Sequence, residues 1–311
     1  MDLHLSLSSK KNIIFLIKMN TDQIKNLVRE IQNLFFRRDY KTIISTSKNA
    51  IKKYPNIAIF YNLLGLALSN IGNLKDAKFV LEKGYKINSN DLAIINNLAN
   101  VYKNSYEITK AIELYERSIK IDNNYVNAYV NYGNLKRDLN KFNEAIKLYE
   151  KALSINPNIP SINYCLSMSY QNLGNFEKSD HYAKKTLEIE PKFTKADLLI
   201  SRSKKYKNND QHKEDMIRKL DDLDLDNNSK SDLYFAISKA FEDQTDMENS
   251  IKYLKKANEI KRSIINFNID DEIKNFESIK KTYLDIIDKK NTLKINNPKK
   301  IIFILGMPRS G

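Results

Sequence analysis

The residues best suited to chemistry stand at 301–311 and read IIFILGMPRSG. The apolar run 301–305 suits a buried parallel strand, and the small residues after it suit a tight turn around one arginine. A strand feeding such a turn is how α/β proteins cradle phosphate. Small residues let backbone N–H groups converge on the anion, and a following helix adds its positive end. Gly306 and Gly311 also satisfy the G-x-x-x-x-G of a Walker A loop, which next demands Lys and Ser/Thr at 312 and 313. The chain has 311 residues, so neither requirement is met within it.

Other reactive side chains are sparse. Cys165 is the single cysteine, which excludes an intramolecular disulfide framework and fits a reducing, cytoplasmic setting. His4, His181 and His212 are scattered without ligand spacing, so no metal is expected. The net charge of +14 invites a nucleic-acid reading, but arginine fills only nine of the 52 basic positions. Arginine is the side chain best shaped for bidentate phosphate contacts, so solvated lysine faces and no nucleic-acid partner are expected. The apolar run 13–17 is too short to cross a membrane, and no membrane partner is expected. Residues 1–19 read as an N-terminal extension, with Met19 as an alternative start.

A period of 34 residues organises the middle of the chain. Gly65, Ala99, Gly133 and Ser167 form one series; Ala77, Ala111, Ala145 and Ser179 follow twelve residues after each. Four further on stand Leu81, Tyr115, Tyr149 and Ala183, and prolines close several copies at Pro55, Pro157 and Pro191. Small residues recur where two helices must approach closely, and bulky ones recur where the next unit covers them. The pattern resembles the tetratricopeptide repeat, a helix–turn–helix unit of this length. The fold class expected is all-α, a tetratricopeptide-repeat superhelix or α-solenoid.

Five repeats are expected over residues 20–193, with in-phase copies starting at Ala58, Leu92, Val126 and Pro160 and a degenerate first copy near Ile24. Residues 194–230 read as a divergent helical pair, with Asp221 to Asp226 as an acidic connector. A final repeat is expected at 231–262, and its offset of 37 residues implies about one inserted helical turn. A helical linker at 263–298 follows, with Phe276, Ile279, Tyr283, Ile286 and Ile287 at helical spacing.

In such a superhelix the first helices line a concave groove. Helical period places Asn62, Asn96, Asn97, Asn100, Lys103, Asn127, Asn131, Asn134, Arg137, Tyr164 and Gln171 towards it. Asparagine both donates and accepts, so a row of them suits the backbone of an extended protein or peptide. The row resembles the asparagine ladder of repeat arrays attached to protein-modifying transferases. Chaperone-binding repeats use lysines to clamp a C-terminal carboxylate, whereas Asn127, Ser161 and Cys165 occupy those positions here. A chaperone adaptor is therefore disfavoured.

The terminal loop, taken with the helical array before it, resembles bacterial proteins in which tetratricopeptide repeats precede a sulfotransferase domain. Their 5′-phosphosulfate loop is a hydrophobic strand followed by G-x-P-R-S-G, matched by Pro308, Arg309, Ser310 and Gly311. Their last repeat carries a stretch matched by YFAISKAFED at 234–243 and a close matched by NEIKR at 258–262. The resemblance implies a C-terminal stub of an α/β sulfotransferase domain at 299–311, cut off inside the loop. It also implies 3′-phosphoadenosine 5′-phosphosulfate (PAPS) as donor in the complete architecture, with the repeats presenting a protein acceptor. A free-standing interaction scaffold is the alternative, and a separately encoded remainder docking on the strand is a third.

Within the resemblance, the acceptor's base and the 3′-phosphate site lie downstream of the loop. Sulfuryl transfer needs several converging groups at the bridging oxygen, and Arg309 alone cannot supply them. PAPS is therefore not expected to bind this chain tightly, and the purified 311-residue chain is expected to show no turnover of PAPS. Release of 3′-phosphoadenosine 5′-phosphate in the presence of acceptor protein would contradict that expectation.

Overall fold

The computed structural model describes residues 7–265 and 268–292. Fifteen α-helices account for the regular structure of the described residues, with no strand among them. The chain divides into two compact units, with the boundary between Ala257 and Asn258. In the first unit, α1 (Leu7–Phe36) and α2 (Tyr40–Lys53) precede four regular pairs. These are α3 (Ala58–Asn70) with α4 (Leu74–Ile87), and α5 (Leu92–Asn104) with α6 (Ile108–Ile121). Next come α7 (Val126–Asp138) with α8 (Phe142–Ile155), and α9 (Pro160–Asn172) with α10 (Phe176–Ile189). The first helices of these pairs start at the four expected residues, and α1 runs through the expected boundary of an N-terminal extension at 19/20.

The two helices of each pair have different jobs, and their sequences show it. In α6 only Ala111, Tyr115 and Ser118 are buried, a single i, i+4, i+7 stripe. In α5, seven residues from Ile94 to Tyr102 are buried, because a first helix touches both its own partner and the neighbouring repeats. The closest approach within a pair falls on the small-residue series. A Cβ added at Gly65 would lie 2.4 Å from Leu81 Cγ, and one at Gly133 would lie 2.6 Å from Tyr149 Cε1. Where serine takes that place, it is bonded across the crossing. Ser167 Oγ donates to the Ser179 carbonyl at 2.7 Å, and Ser238 Oγ donates to that of Ser250 at 2.9 Å.

The turn inside each pair also repeats. Arg38, Gly72, Tyr106, Asn140 and Gly174 all have positive φ, at 56°, 79°, 60°, 58° and 73°. Each is followed by a residue whose N–H bonds back five positions, as Asn73 N–H does to the Leu68 carbonyl and Glu107 N–H to that of Tyr102. This is the Schellman ending, which satisfies carbonyls that the helix leaves unpaired. The same following residue then caps the second helix in several pairs. Asp39, Asn73 and Asn175 accept from the backbone N–H three residues on.

The phase breaks after α10. Helix α11 (Thr194–Ser203) is only ten residues long, and α12 (Gln211–Asp222) starts after a connection at 204–210. Helix α13 (Asn227–Asp243) packs against α11 and begins four residues ahead of the expected start of the final repeat. The inserted turn is thus its first turn, capped by Asp226, which accepts from Ser229 N–H at 2.7 Å. Helix α14 (Met247–Ile264) completes this pair and passes into the second unit, which also contains α15 (Ile269–Thr292). The stub expected at 299–311 lies outside the described residues.

A left-handed conformation costs an L-residue other than glycine about 1–2 kcal/mol. Tyr106 adopts it while 89% exposed, so its side chain offsets little of that cost. Tyr106→Gly is expected to raise unfolding stability by up to about 1 kcal/mol, less than the full relief because glycine is freer when unfolded. Chemical denaturation monitored by circular dichroism measures it.

Candidate peptide groove

The groove face is built from the first helices α3, α5 and α7, whose repeat spacing brings equivalent positions side by side. Asn97, Asn100, Lys103 and Asn131 line one cavity of about 450 Å³, together with Leu66, Ser69, Asn70 and Asn104. The expected residues Asn62, Asn96, Asn127, Asn134 and Arg137 do not line it. Asn127 is exposed at the start of α7, and Asn96 is buried at 5% exposure between neighbouring helices.

The asparagines are interlocked rather than independent. Asn97 Nδ2 donates to Asn62 Oδ1 at 2.8 Å, and one repeat later Asn131 Nδ2 donates to Asn96 Oδ1 at 3.1 Å. The next rung would need Val130 and Cys165, which cannot form it. A second periodic bond orients another pair. Tyr115 O–H donates to Asn100 Oδ1 at 2.6 Å, and Tyr149 O–H donates to Asn134 Oδ1 at 2.8 Å. Burial pushes both phenols well above their ordinary range, so they remain donors. Asn100, with its carbonyl oxygen held by Tyr115, lines the cavity, and Tyr149 fixes Asn134 in the same way outside it.

Charge sits at the edges. Lys103 Nζ lies 3.4 Å from Asp138 Oδ2, linking α5 to α7, and Arg137 reaches the same carboxylate at 3.6 Å. Arg137 Nη1 also donates to Cys165 Sγ at 3.6 Å, and that thiol lies 3.7 Å from Asn134 Oδ1. Burial raises the Cys165 thiol above its ordinary value, with Arg137 opposing, so it is a packing and hydrogen-bonding group rather than a nucleophile. Farther along, Gln171 Nε2 donates to the Leu199 carbonyl, and the Tyr164 ring lies 5.1 Å from that of Phe193. Both side chains therefore hold repeat to repeat.

Ser69, Asn70 and Asn104, which the sequence reading did not single out, hold the twelfth and thirteenth positions of their repeats, as Lys103 holds the twelfth, and complete the cavity wall. Sequence inspection also missed a larger cavity, about 630 Å³, between α10, α11 and α12. Its floor is Asp197, fully buried, whose two carboxylate oxygens each lie 2.8 Å from Lys219 Nζ. His212 bridges Asp197 at 3.1 Å through Nε2 and the Tyr206 hydroxyl at 2.7 Å through Nδ1. Burial pushes the Tyr206 phenol far up, so its hydroxyl keeps its proton beside His212. Tyr206 is 2% exposed, out of reach of any substrate, and the cluster serves to hold α12 where the repeat phase fails.

No metal-binding group of His, Cys, Asp and Glu occurs among the described residues, and no described helix is long and apolar enough to cross a membrane. Pro308, Arg309, Ser310 and Gly311, expected to hold the phosphosulfate donor, lie outside the described residues. The YFAISKAFED stretch lies on α13, where Ala236, Ile237, Ser238 and Ala240 are buried in the repeat.

Comparison with known proteins agrees with the helical geometry. Residues 26–132 match the family described as Psidin, N-terminal TPR repeats region. Residues 133–174 match a TPR repeat family, and residues 160–193 and 231–264 match a tetratricopeptide repeat family. No curated protein matches the chain. Among solved structures, a tetratricopeptide repeat protein from Parabacteroides merdae aligns with TM-score 0.54 at 17% identity, covering 78% of this chain and 93% of its own. PilF of Pseudomonas aeruginosa aligns with TM-score 0.52 at 19% identity, covering 63% and 88%. A thermophilic TPR protein of Thermus thermophilus gives 0.52 at 16% identity, covering 57% and 97%. The described helices of the first unit are an all-helical tetratricopeptide-repeat solenoid.

Proposed function

We propose that the chain is a protein-interaction scaffold that holds an extended polypeptide along the asparagine face of α3, α5 and α7. The observation that carries this reading is the convergence of Asn97, Asn100, Asn131 and Lys103 on one cavity with Asn70 and Asn104. An extended segment presents backbone carbonyl and N–H groups at regular intervals, which amides satisfy from either side. Each amide has four hydrogen-bonding positions, and the interlocking bonds use only part of them. Recognition of this kind is tolerant of ligand sequence, since Lys103, the one cation among the described residues of the cavity wall, is already paired with Asp138.

A second role is favoured by one observation, the loop sequence at 306–311 following the helical array. In that role the groove presents its polypeptide to a sulfonate-donor domain. Both roles require the same groove, and none of the family matches extends over the loop.

A peptide selected from an unbiased display library on the 311-residue chain provides the probe. In isothermal titration, Asn97→Ala with Asn131→Ala is expected to weaken that peptide about tenfold or more, since each lost buried hydrogen bond costs about 1–3 kcal/mol. A scrambled peptide of equal composition is expected to bind nearly as well. Unchanged affinity in the folded double variant, or loss of binding on scrambling, would overturn backbone recognition by these amides.

A further inference from the structure

Helix α15 leaves a long apolar stripe in water. Asn268 caps it, its Oδ1 accepting from Asp270 N–H at 3.0 Å, and Asp270, Asp271 and Glu272 in the first turn complement the helix dipole. On this well-started helix, Ile269, Ile273, Phe276, Ile279, Tyr283 and Ile286 are each between 50% and 68% exposed. Their spacing of three and four residues puts them along one side. A row of six large apolar side chains is too continuous for the scatter expected of an ordinary surface. It reads as one half of an interface.

We propose that the other half is a second copy of α15, packed antiparallel about a two-fold axis at Phe276. The sequence is self-complementary about that residue. With the axis there, Ile273 of one copy faces Ile279 of the other, and Ile269 faces Tyr283. Two charged residues interrupt the stripe, Glu272 four positions before Phe276 and Lys280 four positions after it. The same axis sets Glu272 of each copy against Lys280 of the other. A parallel pair would instead oppose Glu272 to Glu272 and Lys280 to Lys280. Charges within a helix seam fix orientation in this way, at some cost in affinity. An isologous two-fold contact also satisfies Ile269, Ile273, Phe276, Ile279 and Tyr283 in both copies and closes the assembly at two chains. The seam uses no residue of the groove, so the groove and the dimer stand or fall separately.

Sedimentation equilibrium of the 311-residue chain in the micromolar range is expected to give twice the chain mass of 36.3 kDa. Phe276→Asp is expected to raise the dimer dissociation constant about tenfold or more, while the thermal unfolding curve of the solenoid stays in place. Glu272→Lys and Lys280→Glu are each expected to weaken the dimer, and the double variant to restore it. A monomeric wild-type chain would overturn the pairing, as would a dimer indifferent to Phe276→Asp. A double variant as weak as its parents would overturn the antiparallel arrangement.

Discussion

The solenoid depends on how closely the two helices of a repeat can cross. At Gly65 and Gly133 the backbone of the first helix lies directly against Leu81 and Tyr149 of the second, with no space for even a methyl group. That proximity lets one long side chain fill the crossing and leaves both outer faces of the first helix free to contact neighbouring repeats. Ser167 and Ser179, and again Ser238 and Ser250, meet at the equivalent crossing through a buried hydrogen bond. Two chemical solutions thus meet one geometric demand. The demand, rather than any particular residue, is what recurs every 34 positions.

Because that demand is periodic, the regular repeats were legible from small and bulky residues alone. The helices beginning at Ala58, Leu92, Val126 and Pro160 follow directly from it. The turns were less legible, since a left-handed residue advertises itself only when it is glycine. Gly72 and Gly174 announce their turns, but Arg38 and Tyr106 adopt the same conformation without any local preference for it. There the fixed separation of the two helices overrides the residue's own tendency. The irregular stretch from α11 to α13 was legible as a disturbance but not as a shape. Where an inserted turn is absorbed depends on a capping aspartate and on the Asp197, Lys219 and His212 cluster, which sequence spacing does not assemble.

The groove was half legible. Helical period put Asn97, Asn100, Lys103 and Asn131 on one face, and these four do line one cavity. It could not show that Asn62 and Asn96 would be spent on bonding to the next repeat, or that Tyr115 and Tyr149 would orient the amides behind the face. Such bonds join residues 15 or 35 positions apart, within one repeat in the first case and between neighbouring repeats in the second. For the polypeptide proposed to lie there, amides oriented in advance would lower the entropy that binding must overcome.

The break in phase after α10 has a consequence for cooperativity. In a repeat array each unit is stabilised mainly by its immediate neighbours, so free energy of unfolding is transmitted along a chain of similar couplings. At the break a small apolar cluster of Ala183, Ala196 and Ile200 joins α10 to α11, and the buried Asp197–Lys219 ion pair ties α11 to α12, so the coupling there differs in kind from that of the regular repeats. The helices on its two sides can then melt as separate blocks, and a single midpoint temperature would average over two transitions.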